Sequence, residues 1–244
     1  MAGHSHWANI KHKKARVDSK RAKVWGKIAK KIMIAAKGGA NPADNLSLRY
    51  IIDEAKAANM PKDTIEKAVL KGSGELGAEN FEEVVYEGYG PSGVAMLVEA
   101  LTDNRARTAP ELRLIFDRNG GNLATTGSVG FQFTKQGLIT LDAAGLDEEA
   151  LMEVAIESGA EDVQSEGDVR IVITPPADFM AVKDAMEAAG FKIEDAQIAN
   201  VPQNTVALEG DVAERVRRLI DLLEDNDDVQ SVSHNAELPE EANA

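Results

Sequence analysis

The chain has 244 residues, 43% of them hydrophobic, enough for two or three compact domains with apolar cores and too apolar for a chain disordered throughout. It contains no cysteine, which excludes disulfides, thiolate metal sites and cysteine nucleophiles. The formal charge is −14, yet residues 1–40 hold eleven Lys or Arg against one acid, Asp18, and so carry +10, leaving −24 on residues 41–244. A basic end on an acidic body points to a polyanionic partner met through that end, because the body itself repels phosphates.

The first nine residues, with Gly3, Ser5 and Asn9, have no helical period and read as an extended tail carrying His4, His6 and Trp7. A helix is expected from about residue 12 to 37. Lys13, Arg16, Lys20, Lys23, Lys27 and Lys30 recur at steps of three and four and make one stripe on it, expected to face outward. Val17, Val24, Ile28 and Ile32, with Trp25 beside them, make a second face that packs on neighbouring helices. Cations for phosphates and a ring for stacking are what nucleic-acid contact requires. The candidate nucleic-acid-binding residues are therefore His4, His6, Trp7, Lys11, Lys13, Lys14, Arg16, Lys20, Arg21, Lys23 and Lys27. The competing reading is a solvated charged helix face.

Gly38-Gly39 stops this helix; a second is expected to start at Asn41-Pro42 and a third at Pro61, ending at Gly72. Residues 1–77 thus read as a basic helical domain. Gly72, Gly74 and Gly77 have G-x-G-x-x-G spacing, but a helix precedes them and a strand-like run follows, the reverse of what a dinucleotide fingerprint needs.

Strands are expected in FEEVVYEGYG and GVAMLVEALT around Gly90-Pro91-Ser92-Gly93. A helix follows, with Thr108 and Glu111 read as its capping box and Asn119-Gly120-Gly121 as its end. From residue 137 the order is strand, helix, two strands across Gly167-Asp168, helix, strand: the β-α-β-β-α-β order of ferredoxin-like folds. NTVALEG, Asp211–Leu223 (with Asp211 and Glu214 as a capping box) and VQSVSH then add a β-α-β that completes the earlier β-β-α. The fold class expected is α+β: an N-terminal three-helix domain plus two ferredoxin-like α/β domains, one inserted in the other. The boundaries are 1–77, then 78–136 with 202–238, then the insert 137–201, and an acidic tail at 239–244.

Tyr86 and Tyr89 in YEGYGPSG offer either a hairpin or a stacking surface. LTDNRART holds Asn104, Arg105 and Arg107 where a strand becomes a helix, a basic island that reads as a secondary anion site; alternatively Asp103 pairs with Arg105 and fixes the turn. No catalytic residues are assigned: the carboxylates are unpatterned, no Ser/His/Asp set occurs, and Lys-Gly-Ser-Gly at 71–74 is not a phosphate-binding loop. No metal or cofactor is expected, since the histidines lack clustered companions.

MAGHSHWANIKHKKA, GGANP at 38–42, NMPKDTIEKA at 59–68, YEGYGPSG, LTDNRART and NGGNLATTGSV at 119–129 together resemble the YebC/PmpR family, whose mitochondrial relatives include the translational activator of cytochrome c oxidase. Against the family pattern, His6 replaces Lys, Lys13 replaces Arg, Ser92 replaces Gly and Ala106 replaces Asn. The resemblance implies a helical N-terminal domain with two α/β domains, and a non-enzymatic nucleic-acid-binding regulator of gene expression. Family members are described as DNA-binding transcriptional regulators, while others resemble translation factors acting on the ribosome. No base-reading helix is evident in this sequence, which favours binding by backbone charge and shape, and hence a ribosome- or rRNA-associated translation factor. The alternatives are a DNA-binding transcriptional regulator and a protein-interaction scaffold. No apolar run approaches the roughly 20 residues of a membrane span. The expectation is a cytoplasmic monomer with no membrane partner and no small-molecule substrate.

Overall fold

In this computed structural model, residues 21–77 and 80–239 are described. They make two compact units, one of residues 132–205 and one of the flanking residues up to 131 and from 206 onward.

The larger unit begins with three helices, α1 (Arg21–Ala36), α2 (Leu46–Ala57) and α3 (Lys62–Gly72). Ile28, Ile32, Leu48, Ile51, Ala55, Ile65 and Ala68 are buried between them. The apolar face expected on the first helix is thus the packed one, and Trp25 Nε1 closes it by donating 3.0 Å to the Ala58 carbonyl. At Gly72 a Cβ would lie 2.4 Å from the Met33 carbonyl oxygen, so α3 approaches α1 only because no side chain stands there. Gly74 and Gly77 have φ of +90° and +89°. All three glycines of the G-x-G-x-x-G spacing therefore have backbone reasons.

The second helix starts later than Asn41-Pro42. Asn45 caps it, its Oδ1 accepting from the Leu48 N–H at 3.0 Å. Asn45 Nδ2 donates to the carbonyls of Ala35 and Gly39 at 2.8 and 2.9 Å. One side chain thereby serves the end of α1 and the start of α2, which Asn41 does not; Asn41 instead forms a turn with Ala43 and Asp44.

The chain continues through β1 (Glu82–Tyr89), β2 (Ala95–Thr102), α4 (Arg105–Arg118) and β3 (Asn122–Leu123). The smaller unit holds β4 (Phe133–Asp142), α5 (Glu148–Ser158), β5 (Asp162–Glu166), β6 (Val169–Thr174), α6 (Phe179–Ala188) and β7 (Ile193–Pro202). Its antiparallel sheet runs β5-β6-β4-β7, the ferredoxin-like arrangement. The larger unit resumes with β8 (Val206–Ala207), α7 (Gly210–Glu224), β9 (Val229–His234) and β10 (Ala236–Glu237). Its sheet runs β3-β1-β2-β9, and α4 and α7 cover one face through Leu112, Phe116, Val216, Leu219 and Leu223 packed on Met96 and Val98.

Three local expectations differ from the structure. The NTVALEG segment contributes only the two residues of β8, which pair in parallel with β10 outside the four-stranded sheet; the sheet edge is held instead by β3. Thr108 does not cap α4, because Asn104 does, accepting from the Arg107 N–H at 3.1 Å and leaving Thr108 buried inside the helix. The N-cap of α7 is Glu209, without a side-chain capping bond, so Asp211 lies in the first turn rather than at the cap.

Candidate nucleic-acid interface

Of the proposed binding residues, His4, His6, Trp7, Lys11, Lys13, Lys14, Arg16 and Lys20 lie outside the described residues, and Arg21 opens α1. Lys23 and Lys27 can be placed, and with them Lys30 from the same stripe. This part of the stripe does not face outward as expected. Lys23 Nζ lies 3.1 Å from Asp225 and 3.4 Å from Asp227. Lys27 Nζ donates 2.6 Å to the Glu224 carbonyl, at the end of α7. Lys30 Nζ donates 3.0 Å to the Asp227 carbonyl and 2.9 Å to Asp228 Oδ1. The reason is electrostatic: the C-terminus of α7 presents helix-end carbonyls and a negative dipole end, and the sequence EDNDD adds four carboxylates there. Burial lowers the Lys23 pKa, but the two aspartates outweigh it and raise it overall. Lys30 also sits 5.3 Å from the centroid of the Phe81 ring.

Asp228 is the centre of this contact. It is 4% exposed, yet its carboxylate accepts from Lys30, from Arg107 Nη2 at 2.6 Å, from Thr108 Oγ1 at 2.8 Å and from Thr102 Oγ1 at 3.2 Å. Burial alone would raise its pKa; the hydrogen bonds from Arg107, Lys30 and Thr108 win and hold it at about 2. It is therefore ionised at neutral pH, and joins α1, β2 and α4 to the turn before β9.

The same geometry accounts for LTDNRART. Asn104 is the helix cap. Arg105 Nε lies 2.8 Å from Glu82, not from Asp103. Arg107 reaches both Asp103, at 2.9 Å, and Asp228, whose hydrogen bonds raise its pKa further. The basic island thus meets carboxylates of its own chain. Nothing in the local sequence marks Asp228 as their partner, though the acidic run straight after an amphipathic helix is a signal that cations are needed nearby.

A second buried carboxylate, Glu87, holds the Gly-Ser-Val stretch. It accepts from the backbone N–H groups of Gly127, Val129 and Gly130 at 2.7, 2.6 and 2.9 Å. Burial would raise its pKa, but these backbone donors lower it overall. Tyr89 Oη donates 3.0 Å to the Ser128 carbonyl, and Tyr86 packs on the apolar core. Both tyrosines are half-buried, and YEGYG and GSV are two halves of one loop clasp.

The unit of residues 132–205 has four Lys or Arg against fifteen Asp or Glu, so it offers phosphates little. Among the described residues no group of three or more His, Asp or Glu is placed to hold a metal, and no helix is long and apolar enough to cross a membrane.

Residues 5–75 match the family model for the TACO1/YebC protein N-terminal domain, and residues 81–236 match that for the TACO1/YebC second and third domain. The chain belongs to the TACO1/YebC family. A protein of Treponema denticola, named a probable transcriptional regulatory protein, is 52% identical over 241 residues, 98% of each chain. One of the same description from Caldanaerobacter subterraneus subsp. tengcongensis is 51% identical over 243 residues, 99% of this chain and 100% of the relative. The crystal structure of a conserved hypothetical protein, Aq1575 of Aquifex aeolicus, superposes with a TM-score of 0.84 at 49% identity, covering 97% of this chain and 98% of that one. This TACO1/YebC member combines the family's α+β architecture with a basic stripe whose described half is docked on its own acidic turn.

Proposed function

We propose that this protein is a non-enzymatic, nucleic-acid-binding regulator of gene expression whose interface is the basic arm of residues 4–27. The observation that carries the reading is the charge asymmetry, +10 on residues 1–40 against −24 on the rest. Within the arm, Lys11, Lys13, Lys14, Arg16 and Lys20 supply the phosphate contacts, and Trp7 with His4 and His6 supplies stacking. Arg105 and Arg107 take part only by exchanging their exposed carboxylate partners, Glu82 and Asp103, for phosphates, with Asn104 beside them as the helix cap.

The preferred target is ribosomal RNA. The three described N-terminal helices pack on one another, and the arm offers cations and an aromatic instead of a base-reading surface. A confined cavity lined with phosphates surrounds the arm's closely spaced cations with more negative charge than the open surface of a duplex does. The relatives' description as probable transcriptional regulatory proteins favours the second reading, binding to promoter DNA.

The test compares affinity for ribosomes and for random-sequence duplex DNA at several salt concentrations. Changing Lys13, Lys14, Arg16 and Lys20 to Ala is expected to flatten the salt dependence by about 0.7–0.9 log units per phosphate no longer neutralised. An unchanged slope dismisses the arm as the interface. Trp7→Ala is expected to weaken ribosome binding more than duplex binding. Tight, sequence-selective duplex binding without ribosome binding selects the transcriptional reading.

A further inference from the structure

The stripe Lys13, Arg16, Lys20, Lys23, Lys27, Lys30 is continuous in sequence spacing, but its last three members already have anionic partners in the turn Glu224–Asp228. These three contacts are not equivalent. Lys30 meets Asp228, whose side chain is 6% exposed and bound by three further groups, so this contact is part of the fold. Lys23 meets Asp225 and Asp227, whose side chains are 48% and 82% exposed. Lys27 meets a helix-terminal carbonyl. Exposed ion pairs are weak and exchange readily, whereas a buried, multiply bonded one does not.

We propose that the turn Glu224–Asp228 is a built-in phosphate mimic: it occupies Lys23 and Lys27 in the free protein and competes with nucleic acid for them. A polyanion seated on the arm extends along the stripe only by displacing Asp225 and Asp227 from Lys23 and the Glu224 carbonyl from Lys27. Lys30 stays on Asp228, so α1 keeps its place while two cations change partner. The turn thereby sets a threshold: a polyanion engages Lys23 and Lys27 only where its charge outcompetes that of the turn. This inference rests on the arm being the nucleic-acid interface.

The experiment measures binding of a labelled RNA hairpin across a salt series by wild type, by Asp225→Asn/Asp227→Asn, and by the control Glu83→Gln/Asp117→Asn. The control removes the same charge from exposed carboxylates elsewhere in the same unit. Freeing Lys23 is expected to tighten binding by up to about fivefold beyond the control, the range of an exposed ion pair. The salt dependence should steepen by about 0.7–0.9 log units for the further phosphate that the freed Lys23 neutralises. The tightening should vanish when Lys23→Ala/Lys27→Ala is added to the Asp225/Asp227 variant, since the two pairs of changes then act on one interaction. Asp→Asn keeps shape at exposed positions, and the melting temperature of each variant reports its folding. A tightening equal to the control's, or one that persists without Lys23 and Lys27, overturns the mimic while leaving the arm's role intact. No RNA binding by wild type or any variant overturns both.

Discussion

Replacing Asp228 by Asn tests the contact that ties the first helix to the α/β body. The substitution keeps the side chain's size but leaves Arg107, Lys30 and the hydroxyls of Thr102 and Thr108 without the charge they bond to. A carboxyl held at about 2 instead of its ordinary 3.8 favours the ionised form in the folded state by about 2 kcal/mol. Loss of the charge should cost about that much at neutral pH, or a fall of roughly 4–8 °C in melting temperature for a unit of this size. The sign follows from the lowered pKa. The stabilisation is complete above the unfolded value of 3.8 and is lost as pH falls through the folded value near 2. Denaturant unfolding of wild type and variant from pH 7 to pH 2 should therefore show a gap of about 2 kcal/mol that starts to close near pH 5 and is nearly gone at pH 2. Other carboxylates titrate in both proteins and cancel in the difference. A gap that is the same at every pH, or one under about 0.5 kcal/mol at pH 7, would refute the account of Asp228 as an ionised hub.

Glu87→Gln should destabilise the protein above the ordinary carboxylate range and progressively less as pH falls below it, because the backbone donors at 127–130 favour the charged form; amide exchange at Val129 and Gly130 reports the loss. Ser92→Gly should stabilise by about 1 kcal/mol, since Ser92 has φ of +59°, where only glycine rests without strain; thermal denaturation measures it. Gly88→Ala should destabilise by about 1–3 kcal/mol or more, because its Cβ would lie 2.8 Å from the Phe116 ring and 2.9 Å from the Asn122 carbonyl, and a wild-type melting curve for that variant would contradict the packing described.

The sequence by itself determined the elements and their order. Periodicity marked the apolar face of α1, the glycines at 120, 159 and 190 marked helix ends, and the strand–helix order from residue 137 gave a ferredoxin-like unit, because each of these depends on neighbours within a few residues. Family membership was equally legible in short motifs. Partners were not. Asn45 outcompeted Asn41 as a cap because the end of α1 is beside it, and Thr108 became a core residue because Asn104 capped first and Asp228 stood within reach. β3 became the fourth strand expected of the NTVALEG segment, through a pairing with β1 that two residues could not announce. The charge count singles out a basic stretch at residues 1–40, but charge counting is blind to direction. Only the packing of α1 beside the end of α7, far later in the chain, turned Lys23, Lys27 and Lys30 from an outward stripe into a latch, because helix-end carbonyls and carboxylates were close enough there to hold them.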